Sequence, residues 1–415
     1  MNIAFVSIEF PPRIFGGLGT YVTSMSAKFV EMGHRVWIFT PNNGKELPLQ
    51  ETMDGIEVYR PRSVSCVDTF RHFASPGTLD RWGEGGIDFL CDLISYNHLS
   101  AHLLEDLMET EHIDICIAHD WLGLPAALSV KRDTGIPIIY HIHSTEAGRS
   151  LGSANPQLVS FEMMGIQFAD AVITVSHAMK DELITMGADP GKVHVCHNGI
   201  DAKTFAPSHI DKRQLSLTRK QYNIAPDNAV ILFLGRLEQV KGPDKLVKAM
   251  SEVIKSTPTA RLVMVGSGTQ EGLIRDMITQ YSLEQHVLIN TRFLDDISKI
   301  HHYAMADVCV FPSLYEPFGI VALEAMAMEK PVVVGARGVS GLREIVITPP
   351  ADRPTGIHVN PYDPGDIAWG INTVLSDLDI AQTWGRNGRK RVLDTFTWDS
   401  IGKQTLNIYE GILNV

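Results

Sequence analysis

The sequence predicts an α/β protein built from two doubly wound parallel sheets, and three observations lead to this class. Short runs rich in β-branched residues alternate with longer amphipathic stretches along all 415 residues, which is typical of parallel strands covered by helices. Each half of the chain contains its own set of these alternating segments, which indicates one sheet per half. Between the halves, at residues 198–227, the periodicity is lost and Pro207 and Pro226 occur, which favours a hinge between two domains.

The first half contains six candidate strands, at residues 3–8, 35–39, 113–118, 136–142, 171–175 and 192–196. A helix is predicted between the first two strands. It begins near Thr20, carries Val22, Met25 and Phe29 on one face, and stops at Gly33, a residue type that commonly ends helices. Strand, helix and strand together indicate one βαβ unit.

The second half repeats this pattern with six further candidate strands, at residues 229–234, 261–265, 286–289, 307–311, 331–334 and 356–359. A second sheet of the same kind is therefore predicted. The chain closes with a helical stretch, FTWDSIGKQTLNIYEGIL. Its apolar residues Ile401, Leu406, Tyr409 and Leu413 lie on one face, which needs another surface to cover it.

The charge of the chain argues against polyanionic partners. The formal net charge is -12 and the isoelectric point is near 5.7, so no broad basic field would hold nucleic acid or an anionic membrane surface. The densest basic cluster is Arg386, Arg389, Lys390 and Arg391. At helical spacing we interpret this cluster as a solvated helix face and assign it no function.

Five cysteines, Cys66, Cys91, Cys116, Cys196 and Cys309, occur without any CxxC pair. We interpret them as small buried side chains in a reducing compartment, and we expect neither a zinc site nor disulfides. The first residues, MNIAFVSIEF, lack a basic region and begin a strand pattern directly. No apolar run reaches the roughly 18 residues that span a bilayer, and we expect a cytoplasmic protein.

The segment YEPFGIVALEAM, which follows a predicted strand, is the most informative part of the sequence. A helix that begins directly after Glu316 would place Glu324 about two turns along it, roughly 10 Å away. Two such carboxylates could hold hydroxyls at the ends of an extended ligand, with an anion bound to the amides of Gly319, Ile320 and Val321. A nucleotide diphosphate sugar fits this description. The alternative is that Glu316 caps the helix and Glu324 forms a surface ion pair.

Two further segments supply groups suited to a diphosphate. ILFLGRLEQVKG places Arg236 and Lys241 at the carboxyl end of a strand, the usual ligand edge of such sheets. PPRIFGGLG places Gly16, Gly17 and Gly19 between the first strand and the first helix, where a bare backbone could approach a phosphate. The alternatives are solvated charges at a strand end and an ordinary tight turn.

Histidines also end two predicted strands, in IAHDW and YHIHSTEAGR. His119, His141 and His143 would therefore lie at the ligand edge of the first sheet. A histidine at a strand end is more often a structural group than a catalyst, and we assign His119 and His141 to that category.

The motifs GGLG, HDW, HSTE, ADAVITVSHAMKDEL, VCHNGID, LGRLEQVKG and EPFGIVALEAM together resemble the retaining glycosyltransferases of family four, in order and over nearly the whole chain. The glutamate pair within the EPFG segment is the most specific match, followed by the spacing from GR to KG. The resemblance implies the GT-B fold: two facing Rossmann-like domains with a deep cleft between them. It implies an acceptor domain at 1–205, a donor domain at 206–395, and a last helix at 396–415 that crosses back to the first domain.

The resemblance also implies a role for individual residues. Glu316 would hold the hydroxyls of the donor sugar and Glu324 the ribose, while Arg236 and Lys241 would clamp the diphosphate, with Gly17 facing it. His143 would lie beside the donor sugar. The backbone from Asn290 to Arg292 would meet the base, although Arg292 stands where many relatives have glycine. The catalytic set is thus Glu316, His143, Arg236 and Lys241, and Phe318, Gly319, Ile320 and Val321 complete the donor site.

The expected activity is transfer of a hexosyl group, with glucose favoured, from a nucleotide diphosphate sugar such as UDP- or ADP-glucose. Neither a metal nor a resident cofactor is implied. The motifs GGLG and HDW are similar to those of glycogen and starch synthases, particularly archaeal types, and to those of sucrose-phosphate-type enzymes. A glucan is the favoured acceptor, and its choice is assigned to first-domain loops such as residues 64–86. Two rivals remain: a sugar-nucleotide epimerase or hydrolase, which would turn over without an acceptor, and a degenerate protein that binds the donor without transfer.

Overall fold

Two sheets, one in each half of the chain, organise the computed structural model, which describes residues 1–42, 47–62, 64–73 and 76–413. The strands of the first sheet are β1 (Asn2–Val6), β2 (Arg35–Phe39), β3 (Gln50–Met53), β4 (Ile56–Tyr59), β5 (Ile115–His119), β6 (Ile138–Ile142), β7 (Ala171–Thr174) and β8 (Val193–Val195). Their order is β3-β4-β2-β1-β5-β6-β7-β8. All pairs are parallel except β3 with β4.

All six strands predicted in the first half are present, but β3 and β4 were not predicted. Both have four residues, and β3 alternates between exposed and half-buried positions. An edge hairpin of this kind contains no continuous apolar run, so periodicity alone does not reveal it.

The helices of the first half cover both faces of this sheet. They are α1 (Gly17–Glu31), α2 (Val67–Phe73), α3 (Pro76–Met108), α4 (Asp120–Thr134), α5 (Glu146–Arg149), α6 (Pro156–Phe168) and α7 (His177–Thr185). Two predictions are corrected here. Helix α1 begins at Gly17 rather than near Thr20, and residues 64–86, predicted as a loop, contain α2 and the start of α3, with residues 74–75 outside the described part.

The second sheet is entirely parallel, with the order β11-β10-β9-β12-β13-β14, and all six predicted strands are present. Its strands are β9 (Val230–Leu234), β10 (Arg261–Val265), β11 (Val287–Asn290), β12 (Val308–Phe311), β13 (Val332–Gly335) and β14 (Gly356–Val359). Its helices are α8 (Lys212–Gln221), α9 (Pro243–Ser256), α10 (Glu271–Gln280), α11 (Asp296–Met305), α12 (Ile320–Ala327), α13 (Leu342–Ile345), α14 (Pro364–Leu375) and α15 (Leu378–Thr395).

The last helix, α16 (Trp398–Leu413), lies against the first domain rather than the second. Ile401 and Tyr409 are buried in one apolar cluster with Phe5 and Phe29, and the rings of Phe29 and Tyr409 are 5.8 Å apart. Each fully buried side chain of this size stabilises the contact by about 1.5–3 kcal/mol. The apolar face noted in the sequence is thus covered by α1 and β1.

The prediction of a solvated face on α15 holds for Arg386 and Lys390, which are exposed, but is wrong for Arg389 and Arg391, which are half-buried. The guanidinium group of Arg391 donates to the carbonyls of Glu344 and Ile345, at 2.7 and 2.8 Å. Arg389 donates to the carbonyls of Phe205 and Ala327. Three of these carbonyls belong to the last turns of α12 and α13, where helical partners are missing. The two arginines therefore tie helix ends together.

Two other sequence expectations concern the cysteines and membrane-spanning helices. The five cysteines are free thiols, and four are buried, while Cys66 is half-buried. Among the described residues, no helix combines the length and the apolar character needed to cross a membrane.

Candidate active site

The carboxyl ends of strands from both sheets border one cavity of about 650 Å³. The loops after β1, β5 and β6 form its first-domain wall, and the loops after β9 and β12, with the start of α12, form the other wall. A second cavity, of about 680 Å³, lies among residues 108–114 and 134–137, before β5 and β6 begin. Ligands of open parallel sheets bind at the carboxyl ends of the strands, so the first cavity, here called the cleft, is the candidate site.

The start of α12 forms the centre of the second-domain wall. Gly319 has φ 110°, and a Cβ at this position would lie 2.4 Å from a methyl group of Leu342, so only glycine fits the turn. The helix begins at Ile320, and not near Pro317 as the sequence suggested, which makes Glu324 its fifth residue, little more than one turn in. Amides at the very start of a helix lack a helical acceptor, and Gly319, Ile320 and Val321, which precede the first bonded amide, that of Ala322, line the cleft.

Glu316 is buried beside a cation. Its Oε2 accepts hydrogen bonds from the Lys241 ammonium group at 2.6 Å and from the Ser313 hydroxyl at 3.1 Å, and only 7% of the residue is exposed. Within the described residues no hydrogen bond reaches its Oε1. The side chain therefore does not cap α12, and one carboxylate oxygen is left to accept a ligand hydroxyl.

Glu324 is also buried, which excludes the alternative of a surface ion pair. The Tyr303 hydroxyl donates to its Oε2 at 2.7 Å, and the Lys299 ammonium group approaches its Oε1 at 3.4 Å. Burial raises the pKa of Glu324, and Lys299 and Tyr303 oppose that rise. The carboxylate is held in place at the cleft wall, which it lines.

Arg236 and Lys241 both line the cleft after β9. The turn after Lys241 requires Gly242, because φ is 66° and a Cβ would lie 2.3 Å from the carbonyl oxygen of Pro312. Lys241 is paired with Glu316, whereas Arg236 is exposed and has no ion pair within the described residues. The structure thus leaves one cation of this wall uncompensated.

His143 lines the cleft, with His119 and His141 behind it. Its Nε2 lies 3.0 Å from Nδ1 of His119, and its ring stacks on His141 with centroids 4.3 Å apart and planes 15° apart. Burial lowers the pKa of His143 to about 3 and also lowers the pKa values of the other two, so all three rings are neutral near pH 7. One ring nitrogen from each of the three histidines lies within 4.8 Å of the other two, and both nitrogens of His141 have no hydrogen-bond partner in the described structure.

Asp120 positions the loop that carries His143. Its Oδ1 accepts hydrogen bonds from the amides of His143 and Ser144, at 2.7 and 3.4 Å. Burial raises the pKa of Asp120 to about 6, opposed by Arg149 and by these amides. Its backbone has φ 50°, a conformation that costs a non-glycine residue about 1–3 kcal/mol. Strain of this kind is concentrated at functional sites.

The glycine-rich loop is organised by Glu9, a residue that the sequence analysis missed. Glu9 Oε2 accepts hydrogen bonds from the amides of Phe15, Gly16 and Gly19, at 2.9, 3.2 and 3.1 Å. This cap, formed by a residue six to ten positions upstream of the amides, explains why α1 begins at Gly17. Gly17 faces the other domain, since a Cβ on it would lie 3.7 Å from Ile320. A carboxylate a few residues before a glycine-rich turn is the only signal that the sequence offered.

Asn290 and Arg292 do not line the cleft. The Asn290 side chain donates to the Tyr222 hydroxyl at 2.6 Å and accepts from the Arg292 amide at 3.0 Å, and the Arg292 side chain is exposed. The structure therefore does not join these two residues to the others, and their contact with a base stays a prediction. Phe318, by contrast, lines the cleft.

Tyr315 joins the two walls and was also missed. Its hydroxyl accepts from the Thr145 amide at 3.0 Å and lies 3.2 Å from the Thr145 hydroxyl. A Cβ on Gly148 would lie 2.0 Å from the Tyr315 ring, so only glycine admits the ring. This contact fixes the loop after β6, which carries His143, against the segment that carries Glu316.

Both halves of the chain match models of glycosyltransferase families. Residues 15–204 match the model described as Glycosyltransferase Family 4, and residues 216–391 match the model described as Glycosyl transferases group 1. The two matches meet near the predicted hinge.

Two relatives span almost the full length of the chain. An uncharacterized glycosyltransferase of Methanocaldococcus jannaschii is 33% identical, with 99% of this chain and 98% of the relative aligned. A glycogen synthase of Mycobacterium tuberculosis is 29% identical, with 99% and 94% aligned.

Two solved structures share the fold. Sucrose-phosphate synthase of Thermosynechococcus elongatus superposes with a TM-score of 0.79 at 24% identity, covering 100% of this chain and 99% of the other. HepE of Anabaena, in complex with UDP-glucose, superposes with a TM-score of 0.74 at 22% identity, covering 99% and 100%. At these identities the likeness extends to the fold alone.

Proposed function

This chain is a glycosyltransferase of family 4 with the GT-B fold, and we propose that it transfers a hexosyl group from a nucleotide diphosphate sugar to a hydroxyl acceptor with retention at the anomeric carbon. Glucose is the favoured sugar, and UDP- or ADP-glucose the favoured donor. A solved relative of the same fold binds UDP-glucose, and a relative in sequence is a glycogen synthase. These two likenesses support the donor and a glucan acceptor.

One observation carries the proposal: a buried carboxylate, an open helix N-terminus and two cations line the same wall of one cleft. Glu316, with one oxygen open, suits the sugar hydroxyls. The amides of Gly319 and Ile320 suit the diphosphate, because the helix dipole adds positive potential there. Glu324, further along α12, suits the ribose hydroxyls. The sequence of groups matches the order of sugar, diphosphate and ribose in the donor.

The reaction breaks the anomeric C–O bond to the diphosphate and forms a bond from that carbon to the acceptor oxygen, which loses a proton. Positive charge develops on the sugar ring, and the departing diphosphate gains negative charge. Arg236, Lys241 and the start of α12 would stabilise that negative charge, more strongly where water is excluded. The leaving phosphate would accept the acceptor's proton on the same face of the sugar, which gives retention.

His143 suits a contact with a neutral part of the donor sugar. Its pKa, lowered by burial to about 3, keeps the ring uncharged near pH 7, so it would hydrogen-bond to a sugar hydroxyl and would not act as a cationic acid. The stacked His141 and the Asp120 contact to the backbone hold its loop in place.

The test is a transfer assay that follows release of the nucleoside diphosphate from UDP-, ADP- and GDP-glucose, with and without maltotriose or glycogen. Acceptor-dependent release with an α-linked product is expected. Release or epimerised donor without acceptor would favour the epimerase or hydrolase. Tight donor binding with neither release of the nucleoside diphosphate nor epimerisation of the donor would favour a degenerate binding protein.

A further inference from the structure

Glu9 presents a fixed carboxylate to the first-domain wall of the cleft. Three amides of the glycine-rich loop, from Phe15, Gly16 and Gly19, donate to its Oε2. Its other oxygen, Oε1, accepts no hydrogen bond from the described residues, and Glu9 is half-buried and lines the cleft. One oxygen is therefore anchored, and the other is available to a ligand.

The loop is shaped around this carboxylate. A Cβ on Gly19 would lie 2.6 Å from Glu9 Oε2, so the side chain reaches the amides only because residue 19 is glycine. Clustered backbone amides usually form a site for phosphate. Here a carboxylate of the chain itself already occupies three of them, and a second anion at the same place would be repelled.

Arg149 is the only cation in the described first-domain lining of the cleft, and its guanidinium group already contacts other side chains of the same domain. Arg149 donates to the Ser144 hydroxyl at 2.6 Å and lies 3.5 and 3.6 Å from carboxylate oxygens of Glu146 and Glu162. On the opposite wall, Lys241 and Lys299 are paired with Glu316 and Glu324. Arg236 is left for the donor diphosphate, so a phosphate on the acceptor would meet carboxylates without a compensating cation.

The same wall offers apolar faces. The Phe15 side chain is 70% exposed and Phe89 is 46% exposed, and both line the cleft with Trp121. Sugar rings pack their C–H faces on such side chains, while carboxylates accept hydrogen bonds from their hydroxyls. Carboxylates beside exposed aromatic rings suit a neutral polyhydroxylated ligand.

We propose that Glu9 accepts a hydrogen bond from an acceptor hydroxyl and that this wall selects neutral sugars or oligosaccharides over phosphorylated sugars. This inference rests on the proposed function and names the acceptor class of the same site. Glu9 is thereby a specificity-determining residue, and the glycine-rich loop is a holder for its carboxylate.

The test compares maltotriose, glucose and glucose 6-phosphate as acceptors, with the donor that the wild-type protein uses. For the wild type, kcat/KM should be higher for both neutral acceptors than for glucose 6-phosphate. Glu9→Gln should lower kcat/KM for the neutral acceptors about tenfold or more, the usual effect of losing a charged hydrogen-bond partner. In this variant the preference for neutral acceptors over glucose 6-phosphate should be smaller, and the KM for the donor should be unchanged.

A second variant guards against a folding defect. Gly19→Ala keeps the charge of Glu9 but displaces its carboxylate, so it should lower neutral-acceptor kcat/KM without improving use of glucose 6-phosphate. Glu109→Gln, which changes an exposed carboxylate of the same domain outside the cleft, is the matched control and should behave as wild type. Thermal melting of each variant separates lost folding from lost selectivity.

Each contrary outcome has a distinct meaning. Three results would overturn the inference: a wild-type preference for glucose 6-phosphate, transfer to none of the three sugars, or wild-type kinetics in Glu9→Gln. If the protein still binds UDP in any of these cases, the proposed donor site remains supported. A protein that binds no nucleotide at all would instead overturn the proposed function.

Discussion

Glu316 and Lys241 form a partly buried ion pair at the centre of the proposed donor site, with 2.6 Å between Oε2 and Nζ. We expect Glu316→Ala to abolish transfer, because the sugar hydroxyls lose their acceptor, while far-UV circular dichroism stays unchanged. The measurement is turnover at saturating donor. Glu284→Ala, at an exposed position of the same domain, is the control, and undiminished turnover in Glu316→Ala would remove Glu316 from the sugar site.

Lys241→Ala should weaken both binding of the nucleoside diphosphate and turnover. The substitution removes one of the two cations proposed to contact the diphosphate and leaves Glu316 as an uncompensated buried carboxylate. We expect affinity for UDP or ADP, measured by titration calorimetry, to fall about tenfold or more. Unaltered affinity would show that Lys241 does not contact the diphosphate.

His141 is the residue whose removal tests the buried histidine cluster. Both of its ring nitrogens are buried without a partner in the described structure, and burial, with His143 and His119, holds its pKa well below the ordinary 6.5. Below pH 6.5 the His141 ring therefore becomes protonated in the unfolded chain but stays neutral in the native protein. The contribution of His141 to the free energy of unfolding is thus intact above pH 6.5 and declines as the pH falls, by about 1.4 kcal/mol per pH unit.

His141→Phe should accordingly flatten the loss of stability between pH 6.5 and pH 5 relative to wild type. The variant must be compared with the wild type because Asp120 has the opposite pH dependence. Its pKa is raised to about 6, so its contribution to the free energy of unfolding falls as the pH rises toward 6. Urea denaturation at several pH values gives both curves. Parallel curves for the variant and the wild type would contradict neutral burial of His141.

At the scale of elements, α13 and α7 connect the two domains through one side chain. The Glu344 carboxylate accepts from the amides of His177 and Ala178, at 3.0 and 2.9 Å, at the start of α7, and from Nε2 of His197 at 2.9 Å. Burial alone would raise the pKa of Glu344, but these three donors hold it below its ordinary value. A side chain of the second domain thus caps a helix of the first.

Glu344→Gln should destabilise the protein by about 1 kcal/mol, the usual cost of weakening a helix cap and its charge. In the wild type this contribution to stability is intact above pH 4.5 and declines as the pH falls below 4.5 through the lowered pKa of Glu344, whereas the variant should show no such decline. Thermal melting at pH 7 and at a series of pH values below 4.5 measures both effects. Equal melting temperatures at pH 7 would show that this contact contributes nothing to stability.

The elements also show how far the sequence could predict the structure. Twelve strands were predictable because buried parallel strands are continuous apolar runs, and α12 was predictable from Gly319 and its apolar repeat. The hairpin of β3 and β4 was not, because its four-residue strands contain no continuous apolar run. The contacts of Arg389 and Arg391 were not, because their partners lie 46 to 184 residues away in the sequence. Glu9 was missed although its partners lie only six to ten residues away, because the turn that brings them together has no sequence period of its own. Its role exists only when the chain brings it to the amides of residues 15–19.

At the scale of the whole molecule, the candidate active site lies between the two domains and depends on how they face each other. Motifs supplied Glu316, Glu324, Arg236, Lys241 and His143, and the fold brings them to one cleft. Tyr315 was not predictable, since its hydroxyl partner Thr145 lies 170 residues earlier. Contacts of this kind depend on how two separately folded sheets face each other, which local patterns do not encode.

Tyr315→Phe should loosen the two domains while each stays folded. The variant keeps the ring against Gly148 but leaves the buried Thr145 amide without its acceptor, a cost of about 1–3 kcal/mol. We expect a larger radius of gyration by small-angle scattering without ligand, and recovery when the donor is added, because the proposed donor site is bordered by both walls of the cleft. An identical radius in both proteins would mean that other contacts set the domain arrangement.

The most direct test of the account is a thermal-shift titration of the wild-type protein with UDP, ADP, GDP and their glucose conjugates, since a ligand that binds only the native state raises the melting temperature. We predict a clear rise with one nucleotide and its glucose conjugate, and a reduced rise in Lys241→Ala. No rise with any of the six ligands would contradict a nucleotide-sugar site in the cleft.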